Sequence, residues 1–306
     1  GRATAFTAVK NIIIETADIN STGCSPGSEC NYIGSVVGAI SSNGVTQDTV
    51  FQNIVVNDLM LNTKDAQYIG GLAGYVYNYG VLRESKATNI KAKTNSTTTA
   101  LGGAIGRSAS NGIAEDIVTS VNFDKDIYPL TGTITNVGGV IGSNNNALLL
   151  SKLKASGTID LTGTTSIGGI IGMHDQGTME HAISNVSIIS DTANAGGIIG
   201  FQNYGSPMSV KIVRNFGNIT CFDQCGGIIG RFQNATAANP ALLEQAHNYG
   251  NIISTGVYVG GIVGYYNNQN TTAGSTIRKV HNEGDITGLN MVGGVIGKRN
   301  AADSSG

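Results

Sequence analysis

The strongest constraint on this chain is a six-residue glycine box that keeps returning. Cys225-Gly226-Gly227-Ile228-Ile229-Gly230 is one copy, and Val137 to Gly142, Ile167 to Gly172, Ala195 to Gly200, Val259 to Gly264 and Val292 to Gly297 repeat it. Looser copies run Ile33 to Gly38, Ile69 to Gly74 and Leu101 to Gly106, with Ser35 replacing a glycine in the first. The closing glycines stand at 38, 74, 106, 142, 172, 200, 230, 264 and 297, so neighbouring copies lie 28 to 36 residues apart. Such a period means a repeat architecture, in which each unit buries its apolar residues only by stacking on its neighbours.

The local signals are β. Short apolar segments alternate with Gly, Asn and Thr turns, and no helical period of useful length appears. The expected fold is all-β: a parallel β-solenoid (β-helix) of nine to ten coils, roughly 32 residues per coil and three short strands per coil. In each coil an apolar strand carrying an Asn leads through a turn to a Gly-x-Ile-Thr-like strand and then to the box. Leu148 to Leu153 and Ala241 to Ala246 read as single helical turns in loops. The whole chain, 1–306, is expected to form one solenoid domain, with 1–30 an atypical N-terminal coil or cap, 31–297 the repeats and 298–306 a polar tail.

Three apolar columns run through the boxes. The residues five and one before each closing glycine share parity, so a regular strand points both to one face, the core. The residue two before it admits two readings. Strict alternation makes Val140, Ile170, Ile198, Ile228, Ile262 and Val295 an outward apolar stripe, a candidate assembly face. A bulge or corner at the glycines turns the same column inward. The glycines are expected to supply positive φ at a corner and close approach of neighbouring backbones. A polar column accompanies them: Asn185, Asn215 and Asn282 lie 15 residues before a closing glycine and Asn248 lies 16 before. Stacked asparagines exchange amide hydrogen bonds along a stack of strands. His247 and His281 fall beside this ladder on adjacent coils, without an aligned carboxylate to complete a metal site.

Asn215-Phe216-Gly217-Asn218-Ile219-Thr220, followed by Gly226-Gly227-Ile228-Ile229-Gly230, resembles the GLUG-type repeats of large surface proteins. Asn248 to Ile253 and Asn282 to Thr287 repeat the pattern before their own boxes. The resemblance covers roughly 31–297 and is strongest after 130, while Ser35, Ala73 and Ala104 depart from it. It implies a secreted or surface-displayed β-solenoid, often an adhesin-like stalk or part of a fibre, with no catalytic residues to carry over.

Composition narrows the function further. Net charge is -2 and only 12% of residues are charged, so no basic run grips nucleic acid. No apolar run approaches the ~20 residues of a membrane span. The chain starts at Gly1 without Met or a signal-like segment, which reads as a processed or excised piece. Cys24 with Cys30 and Cys221 with Cys225 belong to coils far apart, so any disulfide is local and implies an oxidising compartment; the alternative is free thiols. Six Asn-x-Ser/Thr triplets, at Asn20, Asn95, Asn185, Asn218, Asn234 and Asn270, are candidate glycosylation sites, although chance gives about as many. Aromatic residues follow the boxes, and Tyr75, Tyr77, Phe201, Phe232, Tyr265 and Tyr266 form a candidate contact corner for sugars or another subunit.

Polysaccharide-cleaving β-helices need carboxylates converging from adjacent coils. Here Asp116, Asp124 and Asp126 cluster in one segment without aligned partners. No Ser or Cys shows a base at diagnostic spacing, and Thr131, Thr133 and Thr162 to Thr165 do not extend into a regular ice-binding array. The expectation is a non-enzymatic extracellular structural protein that needs no cofactor. It would assemble with itself into a fibre, filament or surface layer through the solenoid ends or an apolar side. A glycan-binding adhesin is the alternative, and a polysaccharide hydrolase or lyase comes behind it.

Overall fold

The structure, a computed structural model, describes residues 2–4, 8–21, 31–42, 49–64, 66–94, 97–127, 133–191, 194–203, 208–234, 241–268 and 275–301. It is an all-β parallel solenoid. Three sheets run its length. One of nine strands is formed by the segments entering each box, one of ten by the segments leaving it, and a third of fourteen by the long strands between boxes. Pairing is parallel and in register, so Ile199, Ile229 and Val263 stack directly, as do Gly196, Gly226 and Gly260.

The box itself is a corner, not a strand. Ile134–Gly138 ends at its first glycine and Ile141–Asn145 starts three residues later, with Gly139 and Val140 making the bend between them. This settles the third column. Val140, Ile170, Ile198, Ile228 and Ile262 are completely buried, and Val295, at 42% exposure in the last coil, is the exception. The outward assembly stripe is therefore corrected to an inward corner. Bending the chain turns residues of opposite parity to the same interior, so five, two and one before the glycine all reach the core.

The glycines serve space rather than dihedral freedom. Among the described residues, positive φ in glycine occurs only at Gly157, Gly163 and Gly177, none of them in a box. A Cβ on Gly226 would instead collide with the Ile229 carbonyl oxygen across the bend, and one on Gly227 with the Gly261 carbonyl of the next coil and the Asn248 side chain. Close approach survives from the sequence expectation, and positive φ does not.

The asparagine-bearing and Gly-x-Ile-Thr segments belong to one sheet, so the third side is the segment leaving the box. Leu148 to Leu153 and Ala241 to Ala246, read as helical turns, lie in or beside the strands Ala147–Leu161 and Leu242–Asn248. Their residues alternate between interior and exterior, and stacking on neighbouring strands outweighs the weak helical preference of Leu and Ala. One apolar core runs from Ile33 to Tyr266. At the front, Ala8–Ile14 and Ala17–Ser21 pair onto the long strand Val50–Thr63. Among the described residues that first coil adds Arg2–Thr4 to the ten-stranded sheet but no strand to the nine-stranded one, and the last coil has no long strand. Coils closed on all three sides are thus fewer than the nine to ten expected. Among the described residues no helix is long and apolar enough to cross a membrane.

Candidate functional site

Stacked coils turn sequence positions into rows, and each row can be read for chemistry. The asparagine ladder is real. Asn215 Nδ2 donates to Asn248 Oδ1 at 2.8 Å and Asn248 Nδ2 to Asn282 Oδ1 at 2.7 Å, while the same nitrogens donate to the carbonyls of Gly217 and Gly250 at 2.8 Å. Asn215 and Asn248 are fully buried, and this exchange satisfies them. Asn185 does not belong to the ladder. Ser184, buried, is the register partner of Asn215, and Asn185 is exposed. One extra residue separates Ser184 from its box, so counting back a fixed 15 misplaces it by one and flips the face.

Cys221 and Cys225 form a local disulfide with Cα atoms 6.2 Å apart, buried in the core. Cys24 and Cys30 lie outside the described residues, as do Asn95 and Asn270. Asn234 lies in the strand Ile229–Asn234. Asn20, Asn185 and Asn218 are exposed. The Asn218 Oδ1 accepts the backbone N–H of Asn251 at 2.9 Å, and Asn251 Oδ1 that of Asp285 at 2.9 Å, a second, exterior ladder.

The aromatic corner splits by parity. Phe232 and Tyr266 turn inward, with ring centroids 5.2 Å apart and at most 5% exposure. Tyr75, Tyr77, Phe201 and Tyr265 are half-buried on the outside, where Tyr75 and Tyr77 stack at 4.4 Å. Cations of the same chain cover these rings. The Arg231 guanidinium lies 5.1 Å from the Phe201 centroid and 5.7 Å from that of Tyr265, and Arg107 lies 5.7 Å from that of Tyr75.

The acidic cluster also differs from the expectation. Asp124 does have an aligned partner, Asp160 on the next coil, and Asp116 belongs to a separate row. The carboxylates of Asp124, Asp126 and Asp160 lie within 4.8 Å of one another. Lys125 Nζ already stands 2.8 Å from Asp160 and 3.4 Å from Asp126, supplying a cation from the chain itself. His247 and His281 fall on adjacent coils as expected, their rings edge-on at 60° with centroids 5.9 Å apart, and Glu283 lies 3.2 Å from His281 Nε2.

Sequence reading missed the exterior of the long sheet. A left-handed residue bends the chain in each coil of the long sheet, and these stack into a column of nine: Asn11, Asn53, Glu84, Asp116, Lys152, His181, Ile212, Gln245 and Lys279, with φ between 49° and 58°; Asp58 and Asn89 make a second, shorter left-handed pair further along two of the strands. Just before the bend runs a row of alternating charge, Arg83, Glu115, Ser151, Glu180, Lys211, Glu244 and Arg278. It neutralises itself through Lys211–Glu180 at 3.6 Å and Arg278–Glu244 at 2.9 Å. Arg278 and Lys279 together hold the Glu244 carboxyl down to about 2. Two residues beyond the bend the next outward row reads Val55, Lys86, Val118, Lys154, Ile183, Arg214, His247 and His281. A groove of about 480 Å³ opens between the bend and this row, lined by Lys152, Lys154, His181 and Arg214 with Ile183 and Ile212, and with Asp116 as its acid. The signal was present in sequence but blurred. Lys86, Lys154 and Arg214 stand 20, 18 and 16 residues before their closing glycines, so a fixed offset never aligns them.

Comparison with known proteins agrees with the repeat reading. The family model described as the GLUG motif matches residues 65–92, an early copy, although the resemblance looked strongest after 130. Halomucin of Haloquadratum walsbyi is 29% identical over 142 residues, which cover 40% of this chain and 2% of halomucin. The chain thus spans a small fraction of that relative. Among solved structures, a Bacteroides ovatus protein proposed to be an immunoglobulin A1 protease is similar at a TM-score of 0.40 and 13% identity, covering 92% of this chain and 78% of that one.

Proposed function

We propose that this chain is a non-enzymatic, rod-like structural segment of an extracellular surface protein, extended by head-to-tail stacking of further copies. One observation carries the assembly: among the described residues, the last coil presents apolar core positions that no further coil covers. From Ile69 to Val259 the column five before the closing glycine is at most 1% exposed, yet Val292 in the last coil is 45% exposed. Val295 and Met291 beside it are 42% and 45% exposed, and Leu289 is 78% exposed. Among the described residues the strands Asn290–Gly293 and Ile296–Ala301 are the last of their sheets, and an edge of this kind templates pairing with a further strand. Such a contact is heterologous and gives an open filament rather than a ring. The GLUG match and the likeness to halomucin support the surface placement, and the exposed Asn20, Asn185 and Asn218 leave room for glycans on the rod.

Light scattering and electron microscopy over a concentration series test the assembly. Mass should grow with concentration, and rods should lengthen in multiples of one chain. Val292→Lys with Val295→Lys should hold the chain monomeric, because two charges would have to be buried at the joint. Wild-type chains that stay monomeric at every concentration would overturn the assembly reading.

A further inference from the structure

The row from Lys86 to Arg214 alternates cation and apolar residue coil by coil: Lys86, Val118, Lys154, Ile183, Arg214. From Val55 to His281 it contains no acid. Lys86, Lys154 and Arg214 are exposed, and none takes part in an ion pair among the described residues. The self-neutralised row before the bend shows that this surplus is local and not a trait of the whole face. Next to Arg214 and His247, one outward position further along their strands, Phe216 stacks on Tyr249 with ring centroids 4.6 Å apart and planes 4° from parallel. Phe216 is 45% exposed, an open aromatic platform beside the cations.

We propose that this face binds an extended anionic polysaccharide running along the solenoid axis, with Lys154 and Arg214 each holding one carboxylate or sulfate. Sugar faces pack on Ile183 between the two cations and on Phe216. Spacing decides the class of ligand. Successive cations are two coils apart, about 9.6 Å, close to the rise of one extended disaccharide carrying a single charge. A duplex nucleic-acid strand carries a phosphate about every 3.4 Å. An extended acidic peptide presents a side chain to one face about every 6.6 Å. Both are too dense for this row. The arginine fork suits a planar carboxylate or a sulfate, and aromatic and branched aliphatic surfaces suit the C–H faces of pyranose rings. This site is separate from the C-terminal face, so it stands or falls independently of assembly.

Titration calorimetry at low salt with hyaluronate and unsulfated chondroitin oligosaccharides tests it, with dextran, polyglutamate and oligo-dT as comparison probes. Hyaluronate or unsulfated chondroitin should bind and dextran should not. The exposed double variant Lys154→Gln/Arg214→Gln, checked for fold by circular dichroism, should lose about tenfold or more in affinity. Lys211→Gln in the neutralised row should bind as wild type. Absence of binding to both anionic polysaccharides, or binding unchanged in the double variant, would overturn the proposal. Equal or tighter binding of polyglutamate or oligo-dT would overturn it in favour of another class of partner.

Discussion

His174 stands in the interior row Ser108, Asn144, His174 and Gln202, a polar seam that, like the asparagine ladder, lies buried beside the apolar core. Asn144 Nδ2 lies 2.8 Å from His174 Nδ1 and also donates to the Gln176 carbonyl at 2.9 Å, tying the seam to the following turn. Complete burial lowers the His174 pKa from 6.5 to about 4, only partly opposed by the Gly177 backbone. At pH above 6.5 the folded and unfolded forms are both neutral, and this contribution to stability is fully present. As pH falls toward 4 the unfolded chain takes up a proton that the folded chain refuses, so stability drops by up to roughly 3 kcal/mol. Urea unfolding at pH 7 and 4.5 should show the loss, and His174→Gln, which copies Gln202 one coil on, should flatten it. The alternation behind this seam was not legible in the sequence, because the strands leaving the boxes were not recognised as a side of the coil. The box positions were legible, but the reason for the glycines was not: close approach between coils leaves no mark distinguishable from a need for positive φ.

At the scale of the element, the bend column shows what register can impose on unlike residues. An L-residue in the left-handed region costs about 1–2 kcal/mol, and Asn bears it best. Asn53 Nδ2 donates to Asn11 Oδ1 at 2.8 Å, so the first two positions also gain a stacked amide bond. Ile212, at φ 55°, is the poorest fit, because its branched side chain crowds the backbone. Ile212→Asn should therefore raise stability by about 1 kcal/mol, read as a higher urea midpoint with unchanged slope. If stability falls instead, Ile212 packing in the groove outweighs its strain. Nothing in the composition of this column announces it. The asparagine ladder was legible from three of its members, and the fourth failed because coils differ by single residues in their turns. Register, not spacing along the chain, decides which side chains meet.

The whole molecule follows from nearest-neighbour contact. Each coil touches mainly the one above and the one below, so the core is extended rather than enlarged, and the nine spacings of the ten-stranded sheet, at ~4.8 Å each, make a rod at most about 43 Å long. That architecture was the most readable property of the sequence, since nine boxes at a near-constant period leave few alternatives. The face that carries the cation row was the least readable, because it emerges only after the coils are set over one another. The same design also bears on tension. The hydrogen bonds joining successive coils lie along the axis of the rod, so a pull on its ends is borne by one interface after another. Each coil that gives way would lengthen the tether by about 110 Å, the extended span of about 33 residues. Single-molecule stretching should record a train of steps near that size instead of one global rupture. A rod built this way yields like thread from a spool, absorbing a jolt turn by turn while the remaining turns keep their shape.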